Sequence, residues 1–315
     1  MPPGFKIMGK TFITYSVTHR CSYFAAITIG CAVLLNSLNT SQADILYVSE
    51  SSANLIRKYD LTTGSDLGIF ASTGLSGPRG LAFDNTGNLF VANATAGNIY
   101  KFTPDGVGTL FASDLFYVWG LAIDGANNVY VSNPANGSIT KITPGGSKTI
   151  FFNSSEIAGP LGMTTDSAGN LYAGASIGLR KFAADGTWEF YADPQQVYGN
   201  DLKFDGAGNL FATDPNYSGS GTVKKVTPNH QISTFASGFV QPGGLAFDTL
   251  GNLYVADGSD KTITKIYPDG SKSFFANSGN APSFLAVQIV PEPASATIVG
   301  FAVTAFLLLR HRKID

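Results

Sequence analysis

Five aspartates recur in one setting. Asp84, Asp124, Asp166, Asp205 and Asp248 are each followed three residues later by Gly or Asn and four residues later by Asn. A column of carboxylates can hold a metal ion or act as acid and base. The spacing Asp-x-x-Gly-Asn suits a different task, because an Asp side chain can accept backbone N–H bonds within a tight turn while Gly supplies a left-handed residue. These five are therefore read as hairpin devices. A second set, Glu50, Asp214 and Asp257 with Asn93 and Asn133, offers hard oxygen donors suited to Ca²⁺ or another divalent ion, with Glu50, Asp214 and Asp257 as the candidate ligands. The same residue types at strand ends also satisfy loop backbone, and both readings stay open. His230 is the one imidazole between residues 44 and 290, so no Ser-His-Asp set can be assembled there.

The elements that must position these groups follow from a repeat. One phrase returns as Gly80-Leu-Ala-Phe-Asp84 with Gly87-Asn88-Leu-Phe-Val91, and again from Gly120, Gly162, Asp201 and Gly244. Its Leu-Tyr-Val-like strand starts at 46, 89, 129, 171, 210 and 253, a spacing of 39 to 43 residues. Each unit holds four short strand candidates with Gly-rich turns and no helix-period segment, which predicts propeller blades. A lysine column (Lys58, Lys101, Lys141, Lys181, Lys225, Lys265) marks the third strands, and it is read as a solvated edge. An aromatic column (Phe70, Phe111, Phe152, Tyr191, Phe235, Phe275) marks the fourth strands and is read as core. Three strands precede the first whole unit and one, Phe284 to Val290, follows the last. That arithmetic gives six blades, with the final strand lying beside Ile45 to Val48 and closing the ring. The predicted fold is thus an all-β six-bladed β-propeller of four-stranded blades over 44–290.

In such a ring the second-to-third and fourth-to-first loops share the face that usually carries function. The residues just ahead of the inner strands are Arg79, Trp119, Leu161, Asn200, Gly243 and Ser283. Together with Tyr198, Asp214 and Tyr217 from nearby loops, Arg79, Trp119 and Asn200 form the candidate ligand-binding set, suited to a carbohydrate or peptide.

The wording of the repeat resembles NHL-type blades and, more loosely, the gluconolactonase/senescence-marker propellers. In the latter family a Glu, an Asn and an Asp at the mouth hold a divalent ion. Here only Asn200 falls in an equivalent-looking slot, while Trp119, Leu161 and Gly243 occupy others. The resemblance implies, as an alternative to binding, a metal-dependent lactonase or lyase using Glu50, Asn200, Asp214 and Asp257.

The ends carry sorting signals. Lys6, Lys10 and Arg20 precede an apolar run from Phe24 to Leu35, and Ser41-Gln42-Ala43 offers a small-residue cleavage site, which predicts a signal peptide over 1–43. At the other end Pro291-Glu292-Pro293 leads into an uncharged run over 294–309 and then Arg310-His311-Arg312-Lys313. This order resembles the PEP-CTERM sorting tail of Gram-negative bacteria. The resemblance implies a short transmembrane helix, processing by an exosortase-type enzyme, and release to the cell surface or extracellular matrix after transient anchoring in the inner membrane. A plain single-pass anchor has the same hydropathy.

Both cysteines, Cys21 and Cys31, lie in the signal segment, so residues 44–290 contain no disulfide or thiolate site. That stretch holds 14 bases against 20 acids, a net charge of −6. An acidic body without a basic patch excludes a general attraction for nucleic acid. The expected function is a noncatalytic binding or scaffold module exported to the surface, with exopolysaccharide or peptide as its ligand and no cofactor required.

Overall fold

The computed structural model describes residues 44–153, 159–175, 178–192, 197–215 and 220–289. The expected signal segment 1–43, the tail 291–315 and Tyr217 lie outside the described residues. Among the described residues no helix is long and apolar enough to cross a membrane.

Among the described residues, twenty-four strands form six four-stranded antiparallel sheets. Blade 1 runs outward through Pro282–Gln288, Ile45–Glu50, Leu55–Asp60 and Asp66–Ala71. Blade 2 begins at Pro78–Phe83, blade 3 at Leu121–Ile123, blade 4 at Met163–Thr165, blade 5 at Leu202–Phe204 and blade 6 at Pro242–Phe247. The last strand pairs with the first in the register Ile45↔Gln288, Leu46↔Val287 and Val48↔Leu285. The ring is therefore closed by the chain's two ends within one sheet, as the repeat count requires. Closure removes the pairing edge that Ile45–Glu50 would otherwise present.

The hairpin reading of the aspartates holds in all five blades where it was made. Asp84 Oδ1 accepts the N–H groups of Thr86 and Asn88, each at 2.9 Å, and Asn88 Nδ2 donates to Asp84 Oδ2 at 2.8 Å. Gly87, with φ of 82°, supplies the left-handed residue. Asp124, Asp166, Asp205 and Asp248 repeat these bonds with Asn128, Asn170, Asn209 and Asn252. Burial pushes the Asp84 carboxyl up, but the bonds from Asn88 and Thr86 more than offset it and bring the pKa down to about 2.

Between blades the core is aromatic. Each fourth strand bulges at the same aligned position, with a further bulge in blades 1 and 5, and the ring at the shared bulge stands edge-on to the ring of its blade's second strand: Tyr47 with Phe70, Phe90 with Phe111, Tyr172 with Tyr191, Phe211 with Phe235 and Tyr254 with Phe275, all at 4.8 to 4.9 Å. Blade 3 corrects the sequence alignment. The residue at the bulge is Phe151, 5.1 Å from Tyr130, while Phe152 pairs with Ile139 where the other blades carry Ala. Two consecutive phenylalanines leave this register ambiguous in sequence. The lysine column also does more than sit in water. The ammonium groups of Lys101, Lys141, Lys225 and Lys265 lie 5.2 to 5.5 Å from the second-strand rings of their blades, covering them as cations.

Candidate functional site

The inner strands approach one another so closely that their leading residue has little room. A Cβ on Gly80 would lie 2.7 Å from the Trp119 carbonyl oxygen, and one on Gly162 or Gly244 would collide with the backbone of Asp201 or Phe284. The Gly80 N–H donates to that same Trp119 carbonyl at 2.9 Å. Glycine at these positions lets the blades converge, and convergence brings Arg79, ahead of Gly80, and Gly243, ahead of Gly244, to the rim of the channel.

The result is a cavity of about 230 Å³ whose wall includes Arg79, Trp119, Asn200, Pro215, Gln241 and Ser283. Five of the six residues expected at the mouth, Arg79, Trp119, Asn200, Gly243 and Ser283, meet there. Leu161 is buried and does not line it. The Arg79 guanidinium lies over the Trp119 ring at 3.7 Å from its centroid, and the Tyr117 ring stands 6.2 Å from that indole. Trp119 Nε1 is buried with no hydrogen-bond partner among the described residues. A buried indole N–H without an acceptor is destabilising until something supplies one.

Blade 5 departs from the glycine rule at Asp201. Its buried carboxylate accepts the Leu202 N–H at 2.9 Å and, across to blade 6, the Leu245 N–H at 2.8 Å, with Lys203 Nζ 3.5 Å away. Burial raises its pKa, opposed by Lys203 and the two backbone donors. Asp201 thus stitches blades 5 and 6 just behind Asn200, and its role is to fix that part of the rim. Ser132 and Thr213 do related work. Ser132 Oγ accepts the Gly120 N–H and donates to Leu161 O, and Thr213 Oγ1 accepts the Asp201 N–H and donates to Gly243 O.

The expected metal ligands are not brought together. Glu50 is buried and takes Arg57 Nε at 3.0 Å, Ser278 Oγ at 2.8 Å and Asn280 Nδ2 at 2.7 Å. Asp257 accepts the N–H groups of Val240 and Gln241 at 2.7 and 3.0 Å. Asn93 holds the preceding loop in the same way, through Ser76 N and Gly74 O. Each anchors the loop that enters its own blade. Asp214 is half-buried, its pKa raised by burial against the pull of Lys224, and neither it nor Tyr198 lines the mouth cavity. Among the described residues no group of three His, Cys, Asp or Glu side chains could hold a metal ion. Among the described residues the side-chain donors lining the mouth are amide, hydroxyl and guanidinium, with no carboxylate, and this set does not fit a divalent cation.

The family described as SMP-30/Gluconolactonase/LRE-like region matches residues 120–281, half of the sequence. The chain belongs to this family. No curated protein sequence matches it. Solved structures with the same fold include a chain of a nidogen/laminin complex, with 17% identity over 78% of this chain and 98% of that one and a TM-score of 0.69. A gluconolactonase from Xanthomonas campestris has 15% identity over 77% and 88% with a TM-score of 0.62, and a streptogramin B lyase has 18% over 74% and 73% with a TM-score of 0.53. At these identities the likeness is one of fold.

One feature of the site escapes sequence reading. Gln241 lines the mouth with its N–H held by Asp257, a contact 16 residues apart. Outside the mouth, Arg180 is buried in blade 4 with its guanidinium 3.6 Å from the Phe190 ring centroid, and no periodicity marks it.

Proposed function

We propose that this family member is an exported propeller that binds, and does not turn over, a carbohydrate or peptide at the channel mouth. The observation that carries the reading is the Arg79–Trp119 stack at 3.7 Å on the wall of a cavity that also holds Asn200 and Ser283. A flat aromatic and guanidinium surface beside amide and hydroxyl groups matches the apolar faces and polar edges of a sugar or a peptide. Two of the three carboxylates that an acid-base or metal mechanism would call on, Glu50 and Asp257, are engaged in holding loops. Export rests on the signal-like segment 1–43 and the PEP-CTERM-like tail 291–315. In this reading an exosortase-type enzyme processes the tail and the propeller is displayed at the surface or in the matrix.

The test is alanine substitution of Trp119 and Arg79, with binding measured on an array of glycans, matrix polymers and peptides. Loss of the wild-type signal in both variants, with unchanged melting, supports the mouth. Equal signal in both overturns it.

Family membership favours a second reading, a lactonase or lyase. A lactone-hydrolysis screen with Ca²⁺, Zn²⁺ and Mn²⁺ separates the two. Turnover that requires stoichiometric metal would replace the binding reading. Mass spectrometry of the surface form tests export, since masses that include residues 1–43 or 291–315 would remove the sorting part of the proposal.

A further inference from the structure

The last residue of the second strand has one duty in three of the six blades. In blades 1, 2 and 6, Glu50, Asn93 and Asp257 each satisfy donors of the loop that leads into their blade. Asn133 holds the same place in blade 3 and does not do this. It is 2% exposed, its Nδ2 makes only long bonds to Val131 O at 3.4 Å and Thr140 Oγ1 at 3.3 Å, and its Oδ1 has no hydrogen-bond partner among the described residues. A buried acceptor left unpaired, where Glu50, Asn93 and Asp257 at equivalent positions are paired, marks a place where something else supplies the donor.

The loop that ought to supply it runs over 113–119 and takes a different course. Asp114 and Tyr117 hold φ values of 57° and 44°, which L residues adopt at a cost, and Phe116 between them is 70% exposed. Asn133 and Phe116 line one cavity of about 280 Å³ between this loop and the outer strands of blade 3, together with Thr140 and Ile150, the latter 63% exposed. The charged groups there, Asp114 and Lys148, lie 3.9 Å apart as an ion pair, and Lys148 Nζ also donates to Ser113 O at 2.8 Å. The cavity thus offers no net charge. It combines an exposed ring, an aliphatic wall, a buried amide acceptor and a threonine hydroxyl.

We propose that this cavity is a second binding site, separate from the mouth, for one neutral pyranose unit. The sugar's apolar C–H face lies against Phe116 and Ile150, and a hydroxyl donates to Asn133 Oδ1. A neutral ring with one apolar face and hydroxyls along its edge complements each of these groups, whereas an anion or a cation finds no surplus of opposite charge. The site does not depend on what the mouth binds.

The full chain is titrated with methyl glycosides of glucose, galactose and mannose and followed by saturation-transfer NMR, where single-sugar sites have Kd on the order of 1 mM. The variants are Phe116→Ala and Asn133→Leu, each also made in a Trp119→Ala background that removes the mouth's contribution. At least one glycoside should bind the wild type and the Trp119→Ala chain, and in that background binding should be roughly tenfold weaker with Phe116→Ala or Asn133→Leu. Phe116→Ala removes an exposed ring, so its melting temperature should match the wild type. Three outcomes overturn the proposal: no glycoside binds, binding in the Trp119→Ala background survives Phe116→Ala, or Trp119→Ala alone abolishes it. The last would assign the sugar to the mouth.

Discussion

Leu285 provides the sharpest test of the closed ring. It lies in the strand Pro282–Gln288, pairs with Val48, and is 0% exposed in a cluster with Leu46, Val48, Tyr254 and Ala256. Its neighbours come from the chain's beginning and from blade 6, so its side chain fills a space that exists only when the ring is shut. Replacing a fully buried leucine by alanine removes transfer energy and leaves a cavity, at about 2–5 kcal/mol. Taking about 3 kcal/mol, and 2–4 °C per kcal/mol for a domain of this size, Leu285→Ala should melt roughly 6–12 °C lower. The control is Ile289→Ala one residue past the strand, where the side chain is 55% exposed and the change should stay within about 0.5 kcal/mol. Leu245→Ala, at the corresponding inner-strand position of blade 6 and also 0% exposed, should cost about as much as Leu285→Ala. Urea unfolding followed by circular dichroism measures all three. If Leu285→Ala behaves like Ile289→Ala, the terminal strand is not part of the core and the mouth, which Pro282 and Ser283 help to build, falls with it.

Asp84→Ala strips the acceptor from two backbone N–H groups and one amide, and should destabilise by about 1–3 kcal/mol in thermal melts while leaving mouth binding intact. The depressed pKa values of Asp84, about 2, and Asp166 give a sign for acid behaviour. A carboxylate favoured by the fold stabilises it fully above its unfolded pKa, near 3.8, and loses that contribution as pH falls through the folded value, so unfolding free energy should drop between about pH 4 and 2. Stability that is flat across that window in urea titrations would contradict the turn bonds. Gly162→Ala should prevent or severely impair folding, judged by expression and melting, because its Cβ would run into the Asp201 backbone.

The sequence makes the fold legible because every blade restates the same local rules. Asp, Gly and Asn at fixed spacing set a hairpin, and the alternation around them sets faces, so strand number and closure follow from counting. Legibility stops where two neighbouring residues share a chemistry. Phe151 and Phe152 cannot be told apart by type, and only the bulge in Lys148–Asn153 decides which one reaches Tyr130. The rim is partly readable because the residues just ahead of the inner strands stand near the channel: Arg79 and Trp119 precede an inner-strand glycine and Asn200 precedes Asp201, while Leu161, ahead of Gly162, is buried instead. Asn133 and Phe116 were not readable as a pair, since what distinguishes Asn133 from Asn93 is the course of a loop and not its own identity.

That distinction also bears on Asp257, where sequence alone leaves a metal ligand open beside the commoner role of loop anchor. The structure gives its two oxygens to Val240 N and Gln241 N, and Gln241 lines the mouth. Asp257→Ala would leave both N–H groups without their acceptor, at about 1–3 kcal/mol for each that stays buried, and would release the backbone that places Gln241 and Gly243. Mouth binding should therefore weaken although Asp257 does not line the cavity, and it should weaken equally with Ca²⁺ present or with chelator added. A ligand of a metal site behaves otherwise: the wild type would lose binding on chelation, and the variant would show no further loss. If chelation alone reproduces the effect of Asp257→Ala, the carboxylate belongs to a metal centre and the loop-anchor assignment fails.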